Sequence, residues 1–172
     1  MCVPPPRAGG SRRGGPLFPA PALEYVATVV VELGAPLDFG ETPDGHHRVV
    51  PITGGTVDGP ELSGAVQPGG ADWQRVLPDG TTLVEARYTL ELETTEPARL
   101  VAVTSTGLRT GPPDVLAALA RDEEVDVATY YFRLCIRATT ANATHGWLNT
   151  SLLVATAERT ALQVRYDMHR MS

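Results

Sequence analysis

Hydrophobic and polar residues alternate with a period of two along most of the chain, and clusters of glycine, proline and aspartate separate the alternating runs. The pattern predicts short strands over 24–33, 46–52, 61–67, 72–77, 82–93, 98–104, 129–139, 147–157 and 160–169. Turns are expected at Pro43-Asp44-Gly45, Pro68-Gly69-Gly70 and Pro78-Asp79-Gly80, where a fixed φ precedes a residue that tolerates positive φ. One segment breaks the period: in 112–122, Val115, Leu116 and Leu119 are spaced helically after two prolines suited to a first turn. The expected fold is therefore all-β, an antiparallel barrel of about 8–10 strands with one short helix closing an end or an edge. Residues 1–22 crowd proline, glycine and arginine together and are expected to be a disordered leader, followed by a single barrel domain over 23–172.

Two strands separate their residues cleanly. In 82–93, Val84, Ala86, Tyr88, Leu90 and Leu92 oppose Glu85, Arg87, Thr89, Glu91 and Glu93. In 129–139, Tyr130, Phe132, Leu134 and Ile136 oppose Tyr131, Arg133, Cys135 and Arg137, and this second face mixes rings and guanidiniums as ligand-holding surfaces do. Alternation alone does not say which face enters a barrel; the aromatic and arginine face is the candidate interior. At Gly69-Gly70-Ala71-Asp72-Trp73 a carboxylate and an indole emerge on opposite sides of a strand start. Read locally, that is a turn with a capping aspartate and a core tryptophan, and Trp147-Leu148-Asn149 reads equally well as core aromatic plus turn amide.

Composition narrows the chemistry. Lys+Arg number 14 against 20 Asp+Glu, a net charge of −6, which disfavours a nucleic-acid partner. Every basic residue is arginine, so Schiff-base chemistry and a lysine P-loop are excluded and cationic work falls to guanidinium. Apolar runs are too short to span a bilayer, so no membrane partner is expected. Two cysteines make neither a disulfide framework nor a zinc site, and without a secretory pattern the expected compartment is the cytoplasm. The sequons at Asn142 and Asn149 carry no weight in that setting. Nucleotide-binding glycine motifs, metal-ligand spacings and the hydrolase elbow are all missing from the sequence, so no cofactor and no metal are expected.

The runs RVVPITGGT at 48–56, GGADW at 69–73, ARY at 86–88, GLRTGP at 107–112, YFR at 131–133 and WLN at 147–149, in this order, resemble the DUF3237 (UPF0311) family over roughly 23–168. The resemblance implies a calycin-like barrel, related to lipocalin-type carriers, with a pocket inside it. Carried over position by position, it implies Asp72, Trp73, Arg87, Tyr88, Arg109, Tyr131, Arg133, Trp147 and Asn149 as pocket groups. Two positions depart from the family pattern, with Ser105 before the Gly-x-Arg segment and Thr110 after it.

Two functions fit these residues. The first is a cofactor-independent isomerase, cyclase or lyase that moves a proton on a small anionic or carbonyl-bearing substrate. Asp72, Glu85, Tyr88 and Tyr131 would be its catalytic groups, with Trp73, Arg87, Arg109, Arg133, Trp147 and Asn149 binding the substrate. The second is a carrier that holds a hydrophobic small molecule unchanged. An unpaired carboxyl inside the cavity separates them, because proton transfer needs one and an anion carrier should avoid it. A structural interaction module ranks below both, and a homodimer is the self-association left open.

Overall fold

The computed structural model describes residues 17–172, so Cys2 and most of the leader expectation lie outside the described residues. Residues 17–22 carry no helix or strand, and Ala22 is tied to Ser172 by a pair of backbone hydrogen bonds of 3.1 Å. Nine strands follow in chain order: β1 (Leu23–Leu33), β2 (Leu37–Thr42), β3 (Gly45–Asp58), β4 (Gly64–Val76), β5 (Thr82–Leu92), β6 (Leu100–Thr110), β7 (Tyr131–Thr140), β8 (Leu153–Arg159) and β9 (Gln163–Met171). One helix, α1 (Pro113–Ala120), stands between β6 and β7. The strands form one antiparallel sheet in the order β1-β9-β8-β7-β6-β5-β4-β3-β2, and a further β1–β3 ladder closes eight of them into a barrel. β2 stays outside the closure as an added edge hairpin on β3, joined through the expected turn at Pro43-Asp44-Gly45.

Closure depends on a bend in β3. Its first half pairs with β2 and its second half with β1, β4 pairs with both, and the registers slip between Pro51 and Thr56 and between Glu32 and Leu33. Gly54 and Gly55 occupy this corner. A Cβ on Gly55, where φ is 141°, would lie 1.9 Å from the Val30 carbonyl oxygen, so the close approach of β1 and β3 requires glycine.

The second irregularity corrects a boundary. The turn expected at Pro68-Gly69-Gly70 is a bulge within one long strand, so 61–67 and 72–77 are largely a single element. Between the pairs Gln67↔Thr89 and Ala71↔Arg87, β4 advances four residues while β5 advances two. The even excess keeps parity, so Val66 and Asp72 face the same side although the ladder is broken between them. The segment expected as a strand from 147 begins instead with a 3₁₀ turn, Gly146–Thr150.

The oily face of each of the eight closed strands points inward, whereas β2 leaves Leu37 and Phe39 exposed. One end of the barrel is filled solidly by Leu62, Leu90, Leu92, Val101, Ile136, Leu148 and Leu153, and the 3₁₀ turn seals it through Leu148. The other end lies under α1, whose Leu116 and Leu119 are buried. Among the described residues no helix is long and apolar enough to cross a membrane.

Two glycine substitutions separate crowding from backbone preference. Gly40→Ala, at φ 75° with open space around the new Cβ, should cost about 1 kcal/mol, whereas Gly55→Ala should cost about 3 kcal/mol or more because the ladder must part. Urea unfolding of the two variants checks this, and equal losses would show that the closure tolerates a side chain.

Candidate functional site

The polar residues that share the apolar parity meet inside the barrel. β4 supplies Asp72 and Gln74, β5 Thr82 and Tyr88, β6 Ser105 and Arg109, β8 Arg159 and β9 Tyr166, and all eight are buried. Arg48 joins them from β3, where it lies opposite Gln74 in the ladder. Asp72 is 8 % exposed while its neighbour Trp73 is 48 % exposed, so the carboxylate enters the barrel and the indole leaves it.

A hydrogen-bonded row fixes the carboxyl. Arg48 Nε donates to Gln74 Oε1 at 2.7 Å, and Gln74 Nε2 donates to Asp72 Oδ2 at 2.5 Å. Asp72 Oδ1 has no partner, and no basic nitrogen of the described residues lies within ion-pairing distance of the carboxyl. Burial raises the Asp72 pKa above the usual carboxylate value, against the opposing effects of the Gln74 hydrogen bond and the charges of Arg109, Arg48 and Arg159. Arg109 donates from Nη2 to Thr82 Oγ1 at 3.2 Å and lies 5.8 Å from the centre of the Phe132 ring, but its Nε and Nη1 are unpartnered. Burial, then repulsion from Arg159 and Arg48, lowers its pKa to about 10, so it stays charged at neutral pH. Arg159 reaches the Leu119 carbonyl at 3.5 Å and Asp122 at 3.4 Å, leaving its Nε unpartnered.

Tyr88 and Tyr166 share a short hydroxyl–hydroxyl bond in the centre of the barrel. Burial pushes Tyr88 up to about 12 and Tyr166 well above its ordinary value, so both are neutral. Only one of the two hydroxyl protons can lie between the oxygens. The other is left to donate to whatever enters beside them.

Three spaces meet these groups, one of them a groove that Arg48 and Gln74 line from the outer side. A central cavity of about 40 Å³ is bounded by Asp72, Ser105, Tyr88, Tyr166, Ile52 and Leu134, among others. A larger cleft of about 550 Å³ opens beneath α1, with Arg48, Arg109 and Thr82 on its barrel side and Leu116, Ala117 and Ala120 on its helix side. Arg48 and Arg109 line the cleft, while Arg159 borders none of these spaces and bears on them through its charge.

The remaining candidates lie elsewhere. The parity expected for β7 is reversed: Tyr131, Arg133, Cys135 and Arg137 are exposed, because burying the Phe132, Leu134 and Ile136 face removes far more apolar surface from water. Arg133 stacks on Tyr131 at 4.8 Å on the outer surface. Glu85 and Arg87 are outward too and pair with each other at 2.9 Å. Glu85 and Trp73 border a groove of about 690 Å³ that Arg48 and Gln74 also line, and its outer charges are paired, Glu85 with Arg87 and Arg75 with Asp44, at 2.9 Å each. Trp147 and Asn149 sit at the sealed end. Trp147 carries Arg170 at 4.9 Å from its ring centre, and Asn149 holds both backbone groups of Thr140, at 2.9 Å each. Thus Asp72, Tyr88 and Arg109 come together, while Arg48, Gln74, Arg159 and Tyr166 are site residues that the sequence reading missed. Ser105 faces the central cavity, and Thr110 accepts from Thr81 at 3.2 Å outside it.

The pattern that defines DUF3237, described as a protein of unknown function, matches residues 21–171. This chain belongs to the DUF3237 family. A UPF0311 protein of Rhodopseudomonas palustris is 38 % identical over 153 residues, covering 88 % of this chain and 98 % of the relative. The crystal structure of a conserved protein of unknown function from that species superposes with a TM-score of 0.85 at 36 % identity, covering 90 % of this chain and 100 % of the other. At 16 % identity, an enzyme from Penicillium herquei shares the fold with a TM-score of 0.61, covering 90 % of this DUF3237 chain and 98 % of its own.

The buried carboxyl gives a signed expectation. Because the folded pKa of Asp72 is raised, its contribution to stability is full below the ordinary carboxylate pKa and is lost as pH rises through the folded value. Asp72→Asn keeps an acceptor for Gln74 and lacks the titration. Urea unfolding across acid to neutral pH should show the variant gaining on the wild type as pH rises and then levelling off; a difference independent of pH would contradict the raised value.

Proposed function

We propose that this DUF3237 chain is a cofactor-independent enzyme that moves a proton on a small carbonyl-bearing substrate, as an isomerase, cyclase or lyase. The observation that carries the reading is the Asp72 carboxyl, buried, without an ion pair and with Oδ1 unpartnered, on a residue that bounds the central cavity. A raised carboxyl pKa brings the acid and base forms closer to working pH, which is what proton transfer in both directions needs. As carboxylate, Asp72 takes a proton from a carbon next to the carbonyl, and the electron pair of that C–H bond moves onto the carbonyl oxygen. The free hydroxyl proton of the Tyr88–Tyr166 pair and the open nitrogens of Arg109 stabilise the resulting enolate. The protonated Asp72 then returns the proton at the same or another atom. Tyr88 works here as a hydrogen-bond donor, since a pKa near 12 makes it a poor proton source. Gln74 and Arg48 hold the carboxyl in place from behind.

The cavity at Asp72 admits only a small reacting end, so the body of the substrate belongs in the α1 cleft, whose size is ordinary for organic ligands. That a fold neighbour is described as an enzyme supports catalysis on this barrel in general and says nothing of the substrate. The carrier reading is favoured by one observation, the apolar cleft with its arginines, which would hold a ligand unaided. It leaves the buried, unpaired carboxyl without a purpose.

Deuterium wash-in discriminates. In D₂O, the wild type should exchange the hydrogen next to the carbonyl of those small oxo compounds that bind it, read by proton NMR. Asp72→Asn should slow exchange by about 10²–10⁴-fold while still binding. Equal exchange by the variant removes Asp72 from the chemistry, and binding without exchange in the wild type favours the carrier.

A further inference from the structure

Inside the barrel three guanidiniums lie close enough for charge repulsion, and none of them is bonded to a buried carboxylate of the described residues. Repulsion from Arg159 acts on both Arg48 and Arg109. Asp122, half exposed, pairs with Arg159 at 3.4 Å; Asp72 and Asp38 act on Arg48 through charge alone, Asp72 on Arg109 likewise, and Glu41 stands on the cleft lining without bonding to any of the three. Arg48 bonds to neutral Gln74, and Arg109 bonds to the Thr82 hydroxyl. Arg109 and Arg159 are only 4 % and 7 % exposed, yet three of their nitrogens have no acceptor. Replacing such buried charges by apolar side chains would ordinarily make a protein more stable, so their presence points to an anion that satisfies them from outside.

We propose that Arg48 and Arg109, with the charge of Arg159 behind them, form a receptor for the carboxylate of an organic acid that enters through the cleft beneath α1. The apolar helix wall of the cleft suits an organic body more than a bare ion, and guanidinium forks match a carboxylate edge to edge. Helix α1 begins with Pro112 and Pro113, which removes amide donors of the kind that phosphate sites use. The inference deepens the proposed function, and rests on it, by naming the substrate class: an acid whose carboxylate lies a few bonds from the carbon that Asp72 deprotonates. Carboxylate binding is nevertheless measured without turnover, so the two ideas fail separately.

The probe is benzoate, with its neutral isostere benzamide and with inorganic phosphate as comparisons, read as the shift in thermal midpoint. Benzoate at about ten times its Kd should raise the midpoint by about 3–6 °C, with benzamide and phosphate giving much less. Arg109→Met should raise the ligand-free midpoint and abolish the benzoate shift. Arg48→Gln, which is less buried and serves if Arg109→Met does not fold, should reduce the shift at least severalfold. Arg99→Gln, which loses a surface pair with Glu91 and a 3.4 Å bond to the Leu92 carbonyl, both remote from the cleft, should keep the shift in full. Equal shifts for benzoate and benzamide, a larger shift with phosphate, or a benzoate shift that survives in the arginine variants would each overturn the proposal. Asp72→Asn should retain the benzoate shift whatever its effect on exchange.

Discussion

Closing the sheet between β1 and β3 takes one face of eight strands out of water, and the rest of the molecule follows from which side chains that closure encloses. Most of the enclosed positions are aliphatic and fill one end of the barrel. At the other end the same alternation carries Asp72, Gln74, Arg109 and Arg159 into the interior, where a polar group must find a partner or remain costly. Some find one, as the Arg48–Gln74–Asp72 row shows, and some do not. The unpartnered atoms concentrate between the central cavity and the α1 cleft, so the barrel gives up stability in the one region where a ligand could restore it.

The arrangement divides the work by burial. Deep in the barrel, the loss of water raises the carboxyl of Asp72 and the hydroxyls of Tyr88 and Tyr166, keeping neutral forms available. Nearer the α1 end, arginine remains charged even though burial and mutual repulsion weaken it, because guanidinium starts from so high a pKa. A chain without lysine thus keeps a permanent positive field beside a titratable acid, with Gln74 as the spacer between them.

Much of the fold was legible in the sequence because turns and alternation are local. The Pro-Asp-Gly turns and the helix after Pro112 and Pro113 stand where their residues predict. The break at Pro68-Gly69-Gly70 was misread because a bulge and a turn use the same residue types, and only pairing with β5 distinguishes them. The site was legible in part for a related reason. Ring-bearing and arginine-rich faces suggested an interior, yet on β7 that face is the wet one. The better signal is a polar residue that shares parity with an apolar run: Arg159 after Leu153, Ala155 and Ala157, Tyr166 between Val164 and Met168, and Arg109 after Val101 and Val103. Arg48 and Gln74 carry this signal weakly, since their runs are short, and it takes the β3–β4 register to set them opposite each other.

The central claim is that Asp72 is a buried acid, free to exchange a proton with a guest and not neutralised by the arginines around it. Carbon-13 NMR of the aspartate side-chain carboxyls, with the Asp72 signal assigned by its loss in Asp72→Asn, follows that proton directly. The account predicts a titration midpoint above the ordinary carboxylate value. A midpoint at or below that value would mean that Asp72 is a permanent counter-ion to Arg48, Arg109 and Arg159, and would contradict both its catalytic role and the carboxylate site assigned to the arginine cluster.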